Sequence, residues 1–176
     1  TEISVISLGG LVLTELLPFG GNHLDDAIVT HMKRKFNLLI GRKTACQLKE
    51  NIGSAMPGKE ASMTVVGRDV VSGLPIEMEV QASTVYDGIK SDLENLCNSI
   101  KMILEKVPPE LANSGIYLTG GSAAIADLSD LFTEVTNIKV NVSEHAKETT
   151  ALGLEKVLTD AKYKRFGYSM RTRIFK

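Results

Sequence analysis

Gly115-Ile116-Tyr117-Leu118-Thr119-Gly120-Gly121-Ser122-Ala123-Ala124-Ile125 is the stretch on which the fold turns. A short apolar run ends in paired glycines, and Leu128, Leu131, Phe132 and Val135 follow at helical spacing, so the chain bends sharply where a strand stops. Glycines lack a Cβ, reach φ values closed to other residues and let backbone approach a flat group. Amides left open near a helix N-terminus can hold a sugar or phosphate. A tight strand-to-helix turn with no ligand is the commoner meaning of a bare Gly-Gly. The neighbouring segments have to decide between the two.

Towards the C-terminus, the spacing predicts a helix over about 128–136, a strand at Ile138 to Val142 and a helix from about Lys147 to Asp160. Ala151, Leu154, Leu158 and Ala161 are its expected buried side. Strand, helix, strand and helix at these lengths form a βαβ crossover with parallel strands. Towards the N-terminus lies the longest helix, capped by Ser83, with Val85, Ile89, Leu93, Leu96, Cys97, Ile100, Leu104 and Val107 as its core stripe. It ends at Pro108-Pro109.

The unit from about Asn37 to Gln81 has a different character. A short helix (Lys43 to Ile52) precedes a strand at Met63 to Val66, a turn around Gly67 to Gly73, and Ile76, Met78 and Val80 alternating with Glu77 and Glu79. A unit of this size holds little core alone and reads as an insertion. The chain opens with Ile3 to Leu8 and Leu11 to Leu17 around Gly9-Gly10, a hairpin signature. After Gly20-Gly21, a helix carries Leu24, Ala27, Ile28, Met32 and Phe36, with Asn22 as the expected cap. Asp25 and Asp26 read as first-turn acids complementing the helix dipole. Adjacent helix residues do not face each other, which disfavours an acid/base pair. The fold class is therefore α/β, a mixed sheet flanked by helices with a small α+β insertion. Ligands of such sheets sit beyond the carboxyl ends of strands, where Gly120-Gly121 lies.

With 43% hydrophobic and 23% charged residues in 176, the chain can bury a core and is neither disordered nor fibrous. No apolar run approaches the ~20 residues of a membrane span. Nor does a secretory pattern open the chain. Cys46 and Cys97 read as reduced packing residues of a cytosolic protein, and the three histidines do not cluster with them into a zinc site. The net charge of −1 hides a basic tail, with Lys162, Lys164, Arg165, Arg171, Arg173 and Lys176 and no acid after residue 160. Its aromatics Tyr163, Phe166, Tyr168 and Phe175 fit packing on the domain better than contact with lipid or nucleic acid. The chain opens on Thr1, not on methionine, as a piece of a longer protein would.

Several segments together resemble the second half of the MreB family of bacterial actin-like, cell-shape-determining proteins, over residues 1 to about 160. They are Thr1-Glu2 through Leu8, Gly20-Gly21-Asn22-His23-Leu24-Asp25-Asp26-Ala27-Ile28, Ile52-Gly53-Ser54-Ala55 with Pro57-Gly58, Pro108-Pro109-Glu110-Leu111 and Leu118-Thr119-Gly120-Gly121. Each is weak alone, and their order and spacing are specific.

The resemblance implies an actin-like, ribonuclease H-like fold that closes on ATP or GTP with magnesium and polymerises. Under it, residues 1–36 and 83–161 form the main subdomain, 37–82 the inserted subdomain and 162–176 the tail. Gly120, Gly121, Ser122 and Ala123 match the adenosine loop, Gly21 the glycine near the ribose, and Cys46, Gln47, Lys49 and Glu50 the wall against the base. A lysine stem can cover a purine while its charge reaches outward, and a carboxylate can accept ribose hydroxyls. Without the resemblance, Lys49 and Glu50 read as a solvated helix face.

Departures from the family stand at Cys46, where it usually has glutamate, at Ser122 and Asp127, where it has glycines, and at His145-Ala146, where it often has Asp-Pro. The first phosphate loop, the magnesium and water-activating carboxylates and the membrane-touching part lie in the half not present. Hydrolysis needs that metal and an oriented water, so this half alone is expected to be inactive; the departures leave its nucleotide affinity open, with ATP or GTP bound or none. The central strand expected before Thr1 is also absent. The sheet is therefore expected to be gapped, closed across the gap or completed by a partner's strand.

Implied partners are further copies of itself, the missing N-terminal half, and cell-wall and membrane-associated morphogenesis proteins at the inner face of the cell membrane. No nucleic acid is expected. The alternative reading is a non-catalytic actin-like interaction scaffold.

Overall fold

The structure is a computed structural model and describes residues 1–163 and 166. Strands β1 (Glu2–Ser7) and β2 (Gly10–Leu16) form an antiparallel hairpin. β3 (Leu38–Leu39), β4 (Ser62–Asp69) and β5 (Pro75–Gln81) form an antiparallel sheet in that order. β6 (Ile116–Leu118) and β7 (Val140–Val142) run parallel, Ile116 opposite Val140 and Leu118 opposite Val142. The helices are α1 (Gly21–Phe36), α2 (Arg42–Asn51), α3 (Ala82–Glu105), α4 (Leu128–Thr136) and α5 (Thr149–Thr159). Tight 3-10 turns cover Pro109–Ser114 and Gly121–Ala124.

β6, α4 and β7 make the parallel crossover expected from the sequence. Among the described residues β1–β2 and β6–β7 are separate two-stranded sheets, with no ladder between them. Among the described residues, no strand pairs with the edge of β1 away from β2.

The core lies where α1 packs between α2 and α3. Leu24, Ile28 and Met32 of α1 meet Val85, Ile89 and Leu93 of α3, all at most 2% exposed. Fully burying each such side chain is worth roughly 1.5–3 kcal/mol. Gly88 lets the two helices approach, since a Cβ there would lie 3.2 Å from Cβ of His31. Leu38, Val65 and Val80 bury the inner face of the three-stranded sheet against the same core.

Several local expectations change. The hairpin turn is Leu8-Gly9, with φ of 50° and 74°, and Gly10 already pairs with Ser7. A left-handed pair suits the strand twist, so the turn falls one residue earlier than Gly9-Gly10. Ser83 does not cap α3. The helix leaves β5 directly, with Gln81 at its cap position and Ser83 inside the first turn, and Ile103 is the buried residue of its last turn. α1 begins at Gly21 with Gly20 as N-cap, so Asn22 is helical and no acid occupies the first turn.

The expected buried side of α5 is exposed, with Leu154 at 61% and Leu158 at 77%. Periodicity reports an apolar stripe, and no described element packs over this one. The basic tail lies outside the described residues except for Lys162, Tyr163 and Phe166, where Lys162 Nζ sits 5.5 Å from the Tyr163 ring centre.

Candidate functional site

Three segments far apart in sequence converge at the N-terminus of α1. Gly20 is fully extended and hands the chain to α1 at Gly21. A Cβ built on Gly21 would lie 3.3 Å from both Lys49 Nζ and Ser122 Oγ. Glycine at this position therefore lets the α1 terminus, α2 and the turn after β6 meet. Gly120 has φ 89°, a conformation that favours glycine, and its amide donates to Ala146 O at 2.7 Å. No atom lies within 4 Å of a Cβ built on Gly20, Gly120 or Gly121. Gly20, Gly120 and Gly121 thus border open space, while Gly21 faces the Ser122 hydroxyl and the Lys49 ammonium.

Lys49 is held differently from the expectation. Its ammonium turns inward, 2.7 Å from Asp25 Oδ1, and donates to Gly21 O at 3.0 Å. Only 9% of the Lys49 side chain and 4% of the Asp25 side chain are exposed. The charge therefore does not reach outward, and the side chain as a whole is buried. Asp25 is likewise no dipole complement but the buried counter-charge of Lys49. Its neighbour Asp26 takes the opposite direction, where Arg42 Nε and Nη2 donate to its two oxygens at 2.8 and 2.6 Å. That hydrogen bond, and the carboxylate charge behind it, raise the Arg42 pKa further. Two adjacent acids thus tie α1 to α2 twice, once in the core and once at the surface.

Cys46, Lys49 and Glu50 share a face of α2 by their i, i+3 and i+4 spacing, and Gln47 stands off it. Cys46 is half-buried, and Gln47 and Glu50 are exposed. Ala123 turns into the core at 7% exposure, so only its backbone can serve a ligand. The structure brings together Gly21, Lys49 and Ser122. No described side-chain hydrogen bond ties Cys46, Gln47 or Glu50 to them. Sequence reading missed the pairing of Asp25 with Lys49, because nothing in the spacing of residues 25 and 49 signals it.

Ser54 and Asp127 also bear on the site. Ser54 Oγ lies 2.6 Å from Asp127 Oδ2, and Ala55 N–H donates to Ala126 O at 2.8 Å. A groove of about 200 Å³ between α3 and α4, lined by Tyr86, Leu93, Cys97 and Leu131, includes none of the expected site residues.

The family described as MreB/Mbl protein matches residues 1–165. The chain belongs to the MreB/Mbl family. The cell shape-determining protein MreB of Escherichia coli K12 is 36% identical over 163 residues, which cover 90% of this chain and 47% of that protein. The cell shape-determining protein Mbl of Bacillus subtilis 168 is 32% identical over 158 residues, 87% of this chain and 47% of its own. The crystal structure of MreB5 of Spiroplasma citri bound to AMPPNP superposes with a TM-score of 0.86 at 28% identity, covering 93% of this chain and 50% of that one. A MamK double helical filament subunit shares the fold at a TM-score of 0.61 and 19% identity, over 79% of this chain and 46% of its own. The chain spans about half the length of the relatives it matches.

The actin-like fold of this MreB/Mbl chain is thereby shown. Open space lies beside Gly20, Gly120 and Gly121.

Proposed function

We propose that this MreB/Mbl chain is the part of a nucleotide-binding, filament-forming bacterial cytoskeletal protein that supplies the base and ribose side of the cleft. The observation that carries the reading is the meeting of Gly21, Lys49 and Ser122 beside the open glycines Gly120 and Gly121. The nucleotide is ATP or GTP, and its phosphates and magnesium are held by the half of the family not matched here. When bound, the nucleotide would supply free energy through hydrolysis of its β–γ phosphoanhydride bond, water adding to the γ-phosphorus and the diphosphate leaving. The residues of this chain bind and orient. Gly120, Gly121 and the Ala123 backbone give the nucleoside a surface without side chains, and Ser122 offers a donor near the ribose. The Lys49 stem, with Cys46 and Glu50 on the same helix face, forms the wall against the base, and Gln47 borders it. Alone, this half does not hydrolyse nucleotide.

In this reading residues 1–36 and 83–161 are the main subdomain and 37–82 the insertion, with 162–176 as a tail. The protein works in the cytoplasm at the inner face of the membrane, with further copies of itself and with cell-wall and membrane-associated morphogenesis proteins. Two hairpin ends offer self-association surfaces, Ile6, Leu8, Leu11 and Val12 on one and Val70, Val71 and Leu74 on the other, all at least 46% exposed. The unpaired edge of β1 and the exposed stripe of α5 suit contact with the N-terminal half. One observation favours the scaffold alternative: Asp25 already neutralises the Lys49 charge, leaving the wall without a free cation. ATP binding and light-scattering assembly of the intact protein separate the two, since a scaffold neither binds ATP nor assembles in response to it.

A further inference from the structure

Asp127 opens α4 in the left-handed region, with φ 60°, yet its carboxylate does not cap that helix. Asp tolerates this conformation less easily than glycine. What it gains is contact with another segment. Asp127 Oδ2 lies 2.6 Å from Oγ of Ser54, a residue only 1% exposed. The Ser54 hydroxyl also lies 2.7 Å from Met56 O and accepts the Met56 amide at 3.0 Å. One hydroxyl proton serves one acceptor, and the carboxylate is the stronger. Ser54 and Ala126 form a parallel bridge, with Ala55 N–H donating to Ala126 O.

These contacts join two specific places. Segment 53–56 follows α2 directly, and Gly53 packs so tightly on it that a Cβ there would lie 2.4 Å from Lys49 O. Segment 126–127 follows the Gly121–Ala124 turn. The bridge therefore runs from the end of the helix carrying Lys49 to the end of the glycine turn.

We propose that Ser54 and Asp127 are positioning residues, a latch that fixes the α2 wall against the Gly120–Ala123 turn and so sets the width of the nucleoside site. The nucleotide part of this inference rests on the functional reading above; the latch itself does not.

The test uses the intact protein and the variants Asp127→Gly and Asp127→Asn. Glycine suits the backbone at this position, so Asp127→Gly leaves global stability unchanged or raised. Loss of a charge-assisted bond should nonetheless speed amide hydrogen exchange at Ala55 and Met56 by roughly tenfold or more. Asn tolerates the left-handed conformation and keeps an acceptor, so Asp127→Asn should restore protection. The dissociation rate of ATP with magnesium should rise in Asp127→Gly and recover in Asp127→Asn. Unchanged exchange at Ala55 and Met56 in Asp127→Gly overturns the latch. Faster exchange with an unchanged ATP dissociation rate overturns its role in setting the site. If the wild-type protein binds no ATP, the functional reading fails, and the exchange measurement alone decides for or against the latch.

Discussion

Lys49 Nζ lies 2.7 Å from Asp25 Oδ1, with both side chains more than nine-tenths buried. The pair links α2 to the start of α1 under the glycine that faces Ser122. Removing one partner strands a charge in the core. Asp25→Ala should therefore cost about 3–5 kcal/mol of folding stability, read by chemical denaturation. The double variant Asp25→Leu with Lys49→Met should recover most of that loss. A single variant as stable as the wild type would contradict the buried pairing.

Gly53 gives a second test of the same junction. Its ideal Cβ would fall 2.4 Å from the Lys49 carbonyl oxygen, which is backbone and cannot step aside. Gly53→Ala should lower stability by about 1–3 kcal/mol through overpacking. Thermal unfolding of the variant checks it, and an unchanged midpoint would show that the α2 end relaxes freely.

His31 predicts a pH dependence. Burial against α3, assisted by nearby Lys35 and opposed by Asp87, lowers its pKa below the ordinary 6.5. The folded state then takes the proton less readily than the unfolded chain. Its share of stability is complete above about pH 6.5 and is lost as pH falls from there to the lowered folded value. Denaturation between pH 8 and 5 should show a slope that His31→Gln flattens. Equal slopes in the two proteins would exclude His31 as the source.

How much of this was legible in the sequence depended on whether the signal was local. α4 was readable to the residue because Leu128, Leu131, Phe132 and Val135 give a clean period that a single packed face rewards. The family itself was readable from the order of short glycine and proline motifs. The Lys49 ammonium was not, because a helical lysine reads as solvated until a tertiary partner 24 positions away supplies its counter-charge. Asp127 stood out as an acid at a family glycine, and only the fold shows Ser54 waiting opposite it. For α5 the stripe was correct, and its burial depended on a neighbour that no described element provides.

That exposure makes its own prediction. Leu154→Ser with Leu158→Ser removes side chains that are 61% and 77% exposed in this chain. Its stability should stay within about 0.5 kcal/mol of wild type per site, by urea titration. A loss of 2 kcal/mol or more would show that α5 is packed in solution.

In the proposed function, the open ground at Gly120 and Gly121 receives a nucleotide. The most direct measurement is ATP binding by the intact protein, by calorimetry with magnesium, comparing wild type with Gly121→Val. A Cβ at Gly121 meets no protein atom within 4 Å, so the substitution should leave folding largely intact while placing its side chain where the nucleoside would lie. The expected result is saturable binding in the wild type and none in the variant, with circular dichroism unchanged. Equal ATP affinity in the two proteins would contradict the assignment of the site.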